Sequence, residues 1–124
     1  MVLEVTKENF AEVIENNDII IVDFWAPWCG PCRSFAPIFE KVAEANPDAA
    51  FVKVNTEQEQ ELAAHFQIRS IPTLMVFREN ILIFSQAGML PEESLTQLLA
   101  DVKALDMEKV RQEIAEQEVK SATT

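Results

Sequence analysis

Apolar residues fall along this chain in runs whose period switches between that of a helix and that of a strand. Thr6 is placed to cap a short helix from about Lys7 to Glu15, with Phe10, Val13 and Ile14 on one face. Asn16-Asn17-Asp18 punctuates. Ile19 to Ala26 is β-branched and aromatic, apolar on both faces of the period-two pattern, which predicts a central strand covered on both sides. Pro27 ends it. A helix is expected to open around Cys29–Pro31 and to run to about Ala45, burying Ile38, Phe39, Val42 and Ala43. Pro31 sits where its missing N–H costs little, whereas Pro37 lies inside the helix and is expected to kink it. Phe51 to Val54 reads as a second buried strand. Glu57 to Phe66 reads as a short acidic helix with Leu62, Ala63 and Phe66 inward. Leu74 to Phe77 and Ile81 to Ala87 predict a hairpin closed by Glu79-Asn80, because Asn tolerates positive φ. Gly88 breaks the return strand, and Pro91 opens a helix carrying Leu95, Leu98, Leu99 and Val102.

Helices alternating with strands, followed by a hairpin and a helix, imply an α/β fold with a mixed sheet. Beyond Leu105 the pattern changes. Met107, Val110 and Ile114 recur at helical spacing among charged residues, a stripe under two heptads long. It reads as a solvated extension of the preceding helix, fraying by Ser121-Ala122-Thr123-Thr124, in preference to a self-association seam.

Composition narrows the function. The 124 residues fit one domain, and 48% hydrophobic residues suffice for a core. A net charge of −11 argues against nucleic acids and anionic membranes as partners. No apolar run reaches the roughly 18 residues of a membrane span, and the first residues lack the basic start and apolar core of a secretory signal, so neither is expected, while a trimmed secreted form stays compatible.

The candidate chemistry lies in Trp28-Cys29-Gly30-Pro31-Cys32, which holds both cysteines of the chain. A C-x-x-C pair where a buried strand passes into a helix reads as a redox dithiol. At a helix N-terminus the Cys29 sulfur faces unpaired N–H groups and the positive end of the helix dipole, which lowers its pKa and favours the attacking thiolate. Cys32 follows one turn later and can close a disulfide with it. Gly30 lets another backbone approach, and Pro31 stiffens the turn. A zinc site needs further ligands, yet there is no third cysteine and the single histidine, His65, sits on the acidic helix. A purely structural disulfide across so short a loop would add little stability.

Val22-Asp23-Phe24-Trp25-Ala26, Trp28 to Cys32, Ala36-Pro37, Ile68-Arg69-Ser70-Ile71-Pro72-Thr73 and Gly88, in this order, resemble the thioredoxin family over about Leu3 to Lys103. The resemblance implies a thioredoxin fold, a five-stranded mixed sheet flanked by four helices, in a domain spanning 1–104, with 105–124 as a C-terminal helical extension. It implies that Cys29 is the nucleophile and Cys32 the resolving thiol, that Asp23 is the buried carboxylate beneath them, and that Lys53 lies beside it. Asp23 is an acid within an otherwise apolar strand, so desolvation should raise its pKa and fit it to take the Cys32 proton. The resemblance further implies a cis bond before Pro72, and a shallow substrate groove lined by Trp28, Ile71, Pro72, Ala87 and Gly88 beside Gly30 and Pro31. A substrate strand would pair there with Ile71.

The activity and place that the resemblance implies are those of a cytoplasmic protein-disulfide reductase. It would act as a monomer on protein disulfides, with no cofactor bound beyond the redox-active Cys29–Cys32 disulfide and no metal, recharged by an NADPH-dependent thioredoxin reductase. Arg33, Ser70, Asn80 and Phe66 depart from residues common in the family, and none removes a catalytic group. Two other activities remain compatible with these residues: a disulfide oxidase or isomerase of an oxidising compartment, and a thioredoxin-like binding or chaperone module.

Overall fold

The computed structural model describes residues 2–123. Its elements are β1 (Val2–Glu4), α1 (Phe10–Asn16), β2 (Ile19–Trp25), α2 (Gly30–Ala45), β3 (Ala50–Asn55), α3 (Gln60–His65), β4 (Thr73–Arg78), β5 (Ile81–Ala87), α4 (Glu92–Lys103) and α5 (Met107–Thr123). The five strands form one mixed sheet in the order β1-β3-β2-β4-β5, with β1–β3 and β3–β2 parallel and β2–β4 and β4–β5 antiparallel.

The period-two reading of β2 explains the layering. Ile19 and Ile21 face α2 and α4, in a core with Phe35, Phe39, Phe51, Leu74, Val76, Leu95 and Leu99. Ile20, Val22 and Phe24 face α1 and α3, against Phe10, Ile14, Val52, Val54, Leu62, Met75 and Phe77. Ile20, Ile21, Val22 and Phe24 are each fully inaccessible to solvent. A strand buried on both faces has no polar side to present, hence the apolar run on both faces that only Asp23 interrupts. The turn between β4 and β5 uses positive φ at both Glu79 (49°) and Asn80 (70°), the hairpin geometry whose twist matches the strands. The β4–β5 register shifts between Val76 and Phe77, marking a bulge.

Four elements differ from what the pattern predicts, β1 among them as one it did not predict at all. The first helix starts at Phe10, and Thr6 contributes its carbonyl to the Asn9 and Phe10 N–H groups while no side chain caps the helix. The acidic helix is shorter than expected, Gln60–His65, because Asn55 holds the preceding turn by accepting at its carbonyl from the Gln58 and Glu59 N–H groups and at its side chain from that of Glu57. Strand β1 had no signal of its own: three residues at the sheet edge are too few to show a period.

The fourth difference concerns the tail, where α5 is a separate helix and no extension of α4. The break at 104–106 contains neither Gly nor Pro. It is held from a distance by Arg78 of β4, whose guanidinium Nη1 donates to the carbonyls of Val102 (2.7 Å), Lys103 (3.3 Å) and Leu105 (2.9 Å). Carbonyls in the last turn of a helix lack the usual N–H partner four residues on, so the arginine acts as a C-terminal cap, alongside the Leu105 N–H that also reaches the Val102 carbonyl (3.3 Å). Met107 is buried, Arg111 is ion-paired with Glu79 of the hairpin turn, and Leu105, Val110 and Ile114 lie against Ile81, Leu82 and Ile83. The helix runs through Thr123, and Thr124, the end of the expected frayed segment, lies outside the described residues.

Candidate active site

Strand β2 delivers the chain to the site. After Trp25, the buried Ala26 carbonyl accepts from the Cys29 N–H (3.2 Å), closing a tight turn that throws Pro27 and Trp28 outward. Cys29 is the N-cap residue of α2, and its Sγ accepts from the Cys32 backbone N–H at 3.2 Å. A sulfur thus occupies the position usually taken by a Ser, Thr or Asp oxygen. Pro31 in the first turn has no N–H, so it leaves no orphan donor of its own. The arrangement favours negative charge on Cys29 through a direct hydrogen bond and the helix dipole. Cys29 and Cys32 are joined as a disulfide, with Cα atoms 5.2 Å apart. Arg33 turns its guanidinium to the Pro27 carbonyl (3.3 Å), bracing the outer side of the same turn.

Opposite the sulfurs lies the segment leading into β4. The Ile71–Pro72 peptide bond is cis, and the Ile71 carbonyl oxygen is 3.7 Å from the Cys29 Sγ. Ile71 packs with Trp25 against Ala26, Cys29 and Cys32. The Gly88 N–H donates to the Pro72 carbonyl (2.8 Å), and Ala87 is in register with Thr73, so Ile71, Pro72, Ala87 and Gly88 meet at one edge of the disulfide. Gly88 has φ +95°, a conformation in which a side chain is strained. Trp28 stands out into solvent from the other side, 66% exposed, and is not packed into that edge. At Gly30 an added Cβ would meet nothing within 4 Å, so the space above this turn is open.

On β2, two residues before Trp25 of the disulfide cluster, Asp23 is 1% exposed, and neither carboxylate oxygen has a hydrogen-bond partner among the described residues. Burial pushes its pKa up to about 7, opposed by the positive charge of Lys53 and aided by the negative charge of Glu4. Lys53 is in register with Asp23 on β3, and its Nζ sits 4.4 Å from the centroid of the Trp25 ring, a cation–π contact. Trp25 therefore supports the site as well as the core. Sequence reasoning missed Glu4, which is in register with Lys53 on β1. Partial burial raises its pKa, against the pull of the Trp25 indole and of Lys53. The indole N–H is near enough to act on Glu4, although it makes no well-formed hydrogen bond. Among the described residues no group of three or more His, Cys, Asp or Glu is arranged to hold a metal ion.

A redox dithiol at a helix N-terminus, a buried acid on the strand that leads to it and a cis-proline edge beside it agree with what comparison with known proteins finds. The sequence model of the Thioredoxin family matches residues 1–101. A putative thioredoxin 2 of Streptomyces coelicolor is 50% identical over 119 residues, covering 96% of this chain and 89% of the relative, so the likeness continues into α5. A thioredoxin of Pyropia yezoensis is 43% identical over 100 residues, 79% of this chain and 94% of its own. Among solved structures, a single-site mutant of a thioredoxin from Halobacterium salinarum superposes with a TM-score of 0.79 at 32% identity, over 84% of this chain and 92% of that one. Mitochondrial thioredoxin 3 from Saccharomyces cerevisiae, in its oxidised form, gives 0.74 at 29% identity, over 81% and 94%. The chain belongs to the thioredoxin family, and its Cys29–Cys32 pair makes it a thiol–disulfide oxidoreductase.

Proposed function

We propose that the protein works in the reducing direction, as a cytoplasmic, monomeric electron carrier that reduces protein disulfides and is recharged by an NADPH-dependent thioredoxin reductase. It needs no cofactor beyond its own cysteine pair. The observation that carries the dithiol chemistry is the Cys32 N–H···Sγ hydrogen bond to Cys29 at the helix cap, which singles out Cys29 as the sulfur best able to hold negative charge and so as the attacking one; the reducing direction rests on the Gly30-Pro31 pair and on the likeness to thioredoxins.

In the reduced protein the Cys29 thiolate attacks one sulfur of a substrate disulfide. That S–S bond breaks, the first substrate thiolate leaves and takes up a proton, and a mixed disulfide joins Cys29 to the substrate. Cys32 then gives its proton to the Asp23 carboxylate and attacks the Cys29 Sγ. The mixed disulfide breaks, the second substrate thiolate departs and is protonated, and Cys29–Cys32 is left oxidised. Two electrons have passed to the substrate. With its pKa near 7, Asp23 is about half ionised at neutral pH, suited both to accept and to return a proton. Lys53 tunes that carboxyl. Ile71, Pro72, Ala87 and Gly88 hold an extended substrate segment, with Gly30 and Pro31 at its side and the exposed Trp28 free to meet the substrate from solvent.

The test is a trap. A Cys32→Ser variant should accumulate a mixed disulfide through Cys29 with a protein substrate such as insulin, identified by mass spectrometry. A Cys29→Ser variant should accumulate none. Trapping through Cys32 instead would reverse the assignment.

A further inference from the structure

One cation in this site serves two carboxylates. Glu4 is in register with Lys53, and Lys53 with Asp23, so the three side chains form a single row across β1, β3 and β2. The row runs inward, from exposed Glu4 through half-buried Lys53 to fully buried Asp23. Although Lys53 is the neighbour of Asp23, both Asp23 oxygens lack a hydrogen bond, and the ammonium lies over the Trp25 ring instead. A buried carboxylate beside a lysine ordinarily captures it. The Trp25 ring is the contact that holds this ammonium, and Glu4, a nearby charge that makes no direct ion pair with Lys53, is the opposing charge at the outer end of the row.

We infer that Glu4 is a positioning residue for the redox site: it holds the Lys53 ammonium toward the β1 edge of the sheet, over Trp25, and so withholds part of that cation from Asp23. The inference rests on the reading of Asp23 as the proton acceptor for Cys32. Its consequence is that Asp23 keeps its proton to a higher pH than burial beside an undivided lysine would allow. The other surroundings of Asp23 do not compete for that role. Helix α2 brings the cysteine pair and Arg33, whose guanidinium is turned away to Pro27. The in-register residue on β4 is the apolar Leu74, and α4 faces this layer with Leu95 and Leu99. Lys103 of α4 is tied to Asn46 and Asp48 at the far end of α2.

The test is a pH titration of the Asp23 side-chain carboxyl by carbon-detected NMR in the full chain. Glu4→Gln keeps the shape and removes the charge, and Lys53→Met removes the shared cation. Glu4→Gln is expected to lower the Asp23 midpoint by about half a pH unit. The acid limb of Cys32-dependent resolution should move down with it, a change that loss of stability alone would not produce. In a Lys53→Met background the same substitution should move the midpoint by less than half as much. An unchanged or raised midpoint in Glu4→Gln overturns the inference. So does an equal shift in both backgrounds, which would make Glu4 a distant charge acting without Lys53. Asp23→Ala keeps the two readings apart. If it resolves mixed disulfides at the wild-type rate, Asp23 is not the acceptor, and the titration still decides whether Glu4 controls Lys53.

Discussion

Asp23 concentrates the chemistry and a cost to stability in one side chain. Its pKa rises from 3.8 to about 7 on folding because burial disfavours the charged form. For such a group the native state binds the proton more tightly than the unfolded chain does. The associated stability is fully present below pH 3.8 and is lost as pH rises through 7. Asp23→Ala should therefore gain on the wild type by a few kcal/mol, roughly 3 to 4, between pH 4 and pH 8, measured by denaturant unfolding at both values. The comparison between the two pH values cancels the cavity that the substitution leaves. The same variant should slow the resolution of mixed disulfides by Cys32 more than the initial attack by Cys29, seen in stopped-flow with a labelled substrate. Equal slowing of both steps would remove the proton-acceptor role. Gly88, at φ +95° and hydrogen-bonded to the Pro72 carbonyl, belongs to the same scale. Gly88→Ala should cost about 1 kcal/mol of stability and weaken substrate capture at the Pro72 edge, read as a raised KM for insulin.

At the scale of elements, what could be read from the sequence depended on whether the cause was local. β2 and β5 and the body of α2 carry their own periodicity, and the Glu79-Asn80 turn carries its own signal. The cysteine pair and the acid in an apolar strand are also local patterns, so the centre of the site was legible. β1 lacked the length to show a pattern, and Glu4 became visible only once β1 was placed against β3. The α4–α5 break was hidden for the same reason. The stop is set by Arg78, on a strand well upstream, whereas the restart had a local signal: Asp106 caps α5, its side chain accepting from the Lys109 N–H (3.2 Å). Arg78→Ala should remove three charge-assisted contacts and cost about 2 to 3 kcal/mol, measured by chemical denaturation. Amide exchange across α5 should quicken at the same time. Unchanged exchange there would show that α5 is held by Met107 and the Arg111–Glu79 pair alone.

For the whole molecule, the thioredoxin domain and α5 divide the work unequally. The cysteines, Asp23, Lys53 and the Pro72 edge all lie within residues 1–101, the span matched by the family model. α5 lies instead against the start of β5 and the hairpin turn. Removing residues 105–124 should leave insulin reduction nearly intact while lowering stability by roughly 1 to 3 kcal/mol, from the lost burial of Met107 and its apolar neighbours. The direction of electron flow belongs to the molecule as a whole, because it depends on the balance between the thiolate-stabilising cap at Cys29 and the closed disulfide. The most direct measurement is the reduction potential of Cys29–Cys32, by equilibration with a glutathione or dithiothreitol couple. A reducing electron carrier predicts a value close to the thioredoxin range of about −270 mV. A value near or above about −180 mV, in the range of disulfide isomerases and oxidases, would contradict it.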